Sequence, residues 1–142
     1  MEQNTISQIN NIAMVLKQAE KEGWPYPVQF EALRNAGVTS YEVSPSTYDK
    51  TFYGPFGVWH INCNEDNLPL TTVTKKFNEE LFMKALLQRR FKETTYIVFL
   101  QNIALAGIAR YHVDMNKRTV TYFDTDDNAA YVQDIPQAPS HP

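Results

Sequence analysis

Few side chains in this sequence have the chemistry for catalysis or metal binding, and the histidines point to most of them. His60 and Cys63 stand three apart in WHINCNED. A thiolate nucleophile needs a base within hydrogen-bond reach and an electropositive surround. Here Glu65 and Asp66 make the surround acidic, which raises a thiol pKa, so Cys63 reads as a packed or idle cysteine. His112 and Asp114 are two apart on a strand-like run, so both point to one face, opposite Tyr111 and Val113. Two ligand-type side chains begin a metal site, but nothing local supplies a third, and His141 lies in the tail. The run from Asp124 to Asn128 matches the first ligand positions of a calcium loop. That loop also needs Gly at its sixth position and Glu at its twelfth. Ala129 and Ile135 stand there instead, and an acidic hairpin turn is the expectation. No phosphate-binding loop, dinucleotide glycine pattern or nucleophile elbow is present. No catalytic residue, metal or cofactor is expected, and the chain reads as leaning away from an enzyme.

Two surfaces remain. Lys75, Lys76, Lys84, Arg89, Arg90 and Lys92 crowd one helical stretch, with Glu79, Glu80 and Glu93 among them and Glu80 four before Lys84. So much interleaving describes a solvated helix better than a phosphate-binding face. The richer feature is aromatic: Tyr41, Tyr53, Phe56, Trp59, Tyr111, Tyr122 and Tyr131. Most of these should be core beneath the helices; tyrosine and tryptophan left on an uncovered sheet face would make an adhesive platform. Tyr41, Trp59, His60, Tyr111 and His112 are therefore the candidate binding residues.

The elements that carry them occur twice. A shift of seventy positions aligns Leu16 with Leu86, Gln18 with Gln88, Tyr26 with Tyr96, Val28 with Val98, Ala36 with Ala106, Gly37 with Gly107, Tyr41 with Tyr111, Val43 with Val113 and Thr51 with Thr121, without a gap. In the first copy, Ile6, Ile9, Ala13 and Leu16 predict a helix over residues 5–22, ended by Gly23 and Pro25. A short helix over 27–35 follows, stopped by Gly37 in a left-handed conformation. Strands are predicted over 38–44, 50–53 and 58–62. The second copy has Asn78 as a helix cap, Thr94 or Thr95 capping the next helix up to Gly107, and strands over 108–114, 119–123 and 130–134. Residues 70–74 predict a further strand joining the copies. The expected fold is α+β. An internally duplicated helix–helix–hairpin unit, over about 5–61 and 75–131, forms an antiparallel sheet of about six strands with four helices on one face. One domain spans 1–135, and the Pro-rich 136–142 reads as a disordered tail.

The chain has 142 residues and a formal charge of −3. That balance argues against a dedicated nucleic-acid or anionic-membrane binder. No apolar run approaches a membrane span, and the first residues lack a basic segment before an apolar one, so no secretory signal is read. One cysteine excludes an intrachain disulfide and fits a reducing compartment. A cytoplasmic protein is expected.

The segments GWPYPVQFEALRNAGVTSYEV and TTYIVFLQNIALAGIARYHVDMNKRTVTYFDTDDNAAYVQDI resemble the YdfO-like family of small bacterial and prophage-encoded proteins, some labelled phage-envelope-protein-like. The pattern is AGV, two residues, Tyr, one residue, Val-Asp, a turn and a TYY-like strand. Ala106, Gly107, Ile108, Tyr111, Val113, Asp114, Thr121, Tyr122 and Tyr131 fit it, as do Ala36, Gly37, Val38, Tyr41, Val43, Thr51 and Tyr53. Ser44 stands where the pattern prefers Asp, and DTDDN where it prefers a Gly turn. The resemblance implies an α+β fold and a bacterial or prophage setting, and no catalytic residues.

Three functions compete on these residues. The first is a non-enzymatic interaction module, binding a second copy or another protein through the open sheet face or edge. The second is a small-molecule binder or enzyme with a pocket between the copies, lined by Tyr41, His60, Tyr111 and His112. The third is a regulator touching nucleic acid through the basic helix.

Overall fold

The computed structural model describes residues 2–62, 67–91 and 93–135, and side chains from residue 6 onward. Its elements run α1 (Glu2–Glu22), α2 (Tyr26–Asn35), β1 (Ser40–Val43), β2 (Asp49–Gly54), β3 (Gly57–Asn62), α3 (Glu79–Arg90), α4 (Tyr96–Leu105), β4 (Arg110–Asp114), β5 (Thr119–Phe123) and β6 (Ala129–Asp134). The six strands form one antiparallel sheet in the order β3-β2-β1-β4-β5-β6. Ile12, Phe30, Phe82 and Leu100, one from each helix, join the inward residues of the strands in a single core. The helices therefore cover one sheet face, as the alternation of buried and half-buried strand residues requires.

Helix ends follow local chemistry. Asn78 caps α3 by accepting from the Leu81 N–H at 3.1 Å, and Thr95 caps α4 by accepting from Val98 N–H at 3.2 Å. Both short helices stop alike. Gly37 has φ 106° and Gly107 φ 101°. Behind them, Val38 N–H donates to Leu33 O at 3.1 Å, and Ile108 N–H to Ile103 O at 2.9 Å.

The correspondence at seventy residues extends through the sheet. Tyr41 faces Val113 and Val43 faces Tyr111 across β1 and β4, with Glu42 opposite His112 between them. This register has local twofold symmetry, and Glu42 and His112 flank its axis. The helices cross between halves in equivalent pairs. Glu31 of α2 pairs with Arg118 in the β4–β5 turn. Gln101 of α4, seventy residues on from Glu31, donates to the Tyr48 hydroxyl in the β1–β2 turn at 3.1 Å. Tyr48 and Arg118 are likewise seventy apart, and both have positive φ, 68° and 56°.

The strand expected over 70–74 is absent. Residues 67–74 form a strap that bonds singly, Thr71 N–H to Ser46 O at 3.2 Å and Thr74 N–H to Ala104 O at 3.1 Å. Period-two patterning needs a neighbouring strand to become a ladder, and this segment runs between a turn and a helix end.

Candidate functional site

Register places every candidate residue on one side of the sheet or the other. One row crosses the open face from edge to edge: His60, Thr51, Glu42, His112, Thr121 and Val132. His60 Nδ1 is 2.9 Å from Thr51 Oγ1, and its Nε2 is 3.7 Å from Asp49 Oδ2. His112 Nδ1 is 3.2 Å from Glu42 Oε1, which also accepts from Arg110 at 2.8 Å. Arg110 reaches Asp127 at 2.6 Å and stacks 3.8 Å from the centre of the Phe123 ring. A carboxylate-oriented imidazole can transfer protons. Among the described residues, however, no nucleophile bonds His112, and its surround is a sheet surface.

Tyr41, Tyr111 and Trp59 lie on the other side, beneath the helices. Tyr41 and Tyr111 are 4% and 7% exposed. Trp59 is half-buried and stacks on Phe52 at 5.7 Å between ring centres. The expected pocket lined by Tyr41, His60, Tyr111 and His112 is therefore divided by the sheet itself. Tyr111 and His112 are neighbours in one strand, and strand alternation sends them to opposite faces.

The aromatic platform also falls. Of its residues, Tyr41, Phe56, Tyr111 and Tyr122 are buried, and Trp59 and Tyr131 pack half-buried against the core. Only Tyr53 remains on the open face, where Phe123, its equivalent in the second half, lies under Arg110. The tyrosines can be internal because their hydroxyls find partners there. Tyr26 bonds Tyr41 and, seventy residues on, Tyr96 bonds Tyr111, hydroxyl to hydroxyl. Tyr26 is 38% exposed, so its pair lies at the edge of the core. Burial pushes the phenols of Tyr26, Tyr41, Tyr111 and Tyr122 well above the ordinary tyrosine range.

The remaining polar motifs have local roles. Asp114 accepts from the N–H groups of Asn116 and Lys117 at 2.9 and 3.0 Å, closing the β4–β5 turn. Asp124 does the same for Asp126 and Asn128, both at 2.9 Å, making DTDDN a hairpin turn. Among the described residues, no group of three or more His, Cys, Asp or Glu is placed to hold a metal. Cys63, Lys92, His141 and the tail lie outside the described residues.

One surface escaped the sequence reading. A groove of about 400 Å³ runs between α3 and α4, lined by Leu81, Ala85, Val98 and Leu105 and, between them, by the polar Lys84, Gln88, Glu93, Thr94 and Asn102. A second, of about 510 Å³, continues from Leu81 and Leu105 to Phe77 and Lys76. Leu81 is 48% exposed, Leu105 52%, and nearby Phe91 66%. Seventy residues earlier, these positions are Asn11, Asn35 and Lys21, also exposed. The signal was present in the alignment of the copies, as differences rather than identities. The apolar excess is not uniform: Ile6 and Met14 are exposed on α1 where the second half has Lys76 and Lys84.

The family pattern of DUF1398, described as a protein of unknown function, matches residues 13–134. The chain belongs to this family. The DUF1398 match begins within α1 and ends at the last residue of β6, so it takes in both halves of the sheet. No curated protein matches the chain. Among the described residues of this DUF1398 chain, no helix is long and apolar enough to cross a membrane.

Proposed function

We propose that this DUF1398 chain is a non-enzymatic protein-interaction module, and that its docking surface is the α3–α4 groove rather than the sheet. The observation that supports this reading is the contrast between equivalent positions. Folding one half of the scaffold proceeds with Asn11, Asn35 and Lys21 at the surface, so it does not require Leu81, Leu105 and Phe91 in the other half. Exposed apolar residues clustered around a groove mark a binding surface. The groove lies between two helices and continues past Leu81 and Leu105 to Phe77, a position suited to an amphipathic helix with apolar residues on one face. Lys84 and Lys76 are matched by Glu93 and Glu79 in the grooves themselves, but exposed Lys75, Arg89 and Arg90 leave the α3 stretch net basic, so the partner helix carries acidic residues beside its apolar anchors. We take the setting to be a bacterial or prophage-encoded cytoplasmic protein, on the resemblance above and the acidic, cysteine-poor composition.

The test is a titration with a helical peptide bearing leucines at i, i+3 and i+7 and flanking glutamates, followed by amide chemical shifts. Saturable shifts confined to α3 and α4, lost in the Leu81→Asn/Leu105→Asn double variant, are expected. Shifts scattered over the protein, or binding that survives the double variant, would reject the groove. Sedimentation at micromolar concentration separates the rival occupant. A dimer abolished by the same variant would make a second copy, not a foreign helix, the ligand of this face.

A further inference from the structure

Lys50 is out of place. It stands on β2 between Val43 of β1 and Ile61 of β3, and both neighbours face the helices. The equivalent residue of the second half is Val120, which is buried. A half-buried lysine on the core side of a sheet gives up part of its hydration, which an anion beside it would replace. Among the described residues, no carboxylate or hydrogen-bond acceptor meets the Lys50 ammonium; its contact is with the Tyr96 ring, whose centre lies 4.8 Å away. The Arg89 guanidinium is 5.6 Å from the centre of the same ring.

The tyrosine pairs beside it have hydrogens to give. Each pair holds two O–H groups and makes one hydrogen bond, so one hydrogen per pair has no acceptor among the described residues. Tyr41 and Tyr111 are enclosed and bond only to their partners, so they donate. The unused hydrogens then belong to Tyr26 and Tyr96, the first residues of α2 and α4 and the members of each pair nearer solvent. Tyr41 and Tyr111 stand diagonally across the β1–β4 ladder on the helix face, which holds the two outer phenols over the same stretch of sheet. A cation without a counter-ion and two donors without acceptors ask for the same thing, an anion with oxygen acceptors.

We infer that Lys50 and the Tyr96 and Tyr26 hydroxyls form a binding site for a small oxyanion, a carboxylate or phosphate group, reached between the first turns of α2 and α4. Tyr41 and Tyr111 form its floor and hold the two outer hydroxyls in place. The site stands on the helix side of the sheet and is independent of the α3–α4 groove. It shares Tyr41 and Tyr111 with the divided pocket, and excludes both histidines.

Inorganic phosphate and acetate, each titrated at constant ionic strength against chloride, test it by amide and tyrosine ring shifts. Saturable shifts at Lys50, Tyr26 and Tyr96 are expected with at least one of the two anions. Phosphate alone would assign a phosphoryl ligand, acetate alone a carboxylate, and both an oxyanion site that does not discriminate. Lys50→Val copies the residue of the other half, so the sheet has a natural substitute there, and it should weaken binding at least ~10-fold, about 1.4 kcal/mol. Lys50→Arg should retain binding within a few-fold, because the charge stays. Absence of saturation with either anion overturns the proposal, as does equal affinity in wild type and Lys50→Val with both proteins folded.

Discussion

Gly37 and Gly107 end equivalent helices at nearly the same φ, yet a methyl group added to each would meet different surroundings. At Gly37 the nearest atom is the end of the Gln8 side chain, 3.6 Å away, an ordinary contact. At Gly107 it is backbone, Phe77 Cα at 2.7 Å and Lys76 O at 2.9 Å. The two halves thus share a helix stop and differ in what is packed against it. In the second half the segment entering α3 runs over the stop, and Asn78 N–H donates to Ala106 O there at 2.8 Å. Local chain geometry is alike in both halves, while the long-range packing around it differs.

Substitution at the glycines should show that divergence most strongly. Gly37→Ala places a Cβ at positive φ and should cost about 1 kcal/mol. Gly107→Ala carries the same penalty and also displaces backbone, adding about 1–3 kcal/mol of overpacking. The urea midpoints of the two variants should therefore differ clearly, with Gly107→Ala the lower. Equal losses would mean that the connection to α3 yields freely, and the contrast between the halves would vanish at this site.

The tyrosine pairs are where the halves should behave alike. Tyr41→Phe and Tyr111→Phe each remove one hydroxyl-to-hydroxyl bond, and each should cost about 1 kcal/mol near neutral pH. The pH dependence follows from burial. Folding holds the phenols of Tyr26, Tyr41, Tyr111 and Tyr122 above the range in which an unfolded tyrosine ionises, near pH ~10. Their contribution to stability is whole below that pH and is lost as pH rises above it, because the unfolded chain releases protons that the folded chain retains. Phenolate absorbance from these residues should appear together with unfolding. Titration of all eight tyrosines near pH ~10 in a protein that stays folded would refute the enclosed pairs.

Much of the fold was legible because its signals are local. Helix caps at Asn78 and Thr95, the glycine stops and the strand alternation each depend on a few adjacent residues, and all appear where expected. The site was less legible because it depends on which face the helices cover and on what the two halves do to each other. Counting tyrosines favours a core and leaves an exposed platform open. The count cannot show that Tyr26 reaches Tyr41, or that Tyr96 reaches Tyr111, and so lets them lie inside. The strap at 67–74 has strand-like residues and lacks a strand beside it. Two signals were nevertheless available from the alignment at seventy positions: Lys50 opposite Val120, and Leu81 and Leu105 opposite Asn11 and Asn35. Identities between the halves describe the shared scaffold, whereas differences single out what that scaffold does not require.

The smallest expected effect tests that last distinction. If Leu81 and Leu105 are present for a partner, then Leu81→Asn and Leu105→Asn should each leave stability within about 0.5 kcal/mol of the parent, as surface changes do. Phe82, next to Leu81 on α3 but fully buried against Tyr122 and Tyr131, provides the control. Phe82→Ala should cost about 3–5 kcal/mol. The contrast matters because an exposed leucine can still contribute to folding by shielding the end of a neighbouring helix. A loss of 2 kcal/mol or more, on the scale of a buried leucine, in Leu81→Asn or Leu105→Asn would show that the apolar groove serves the fold of the second half. The difference from Asn11 and Asn35 would then reflect packing, and the docking surface would have to be sought elsewhere.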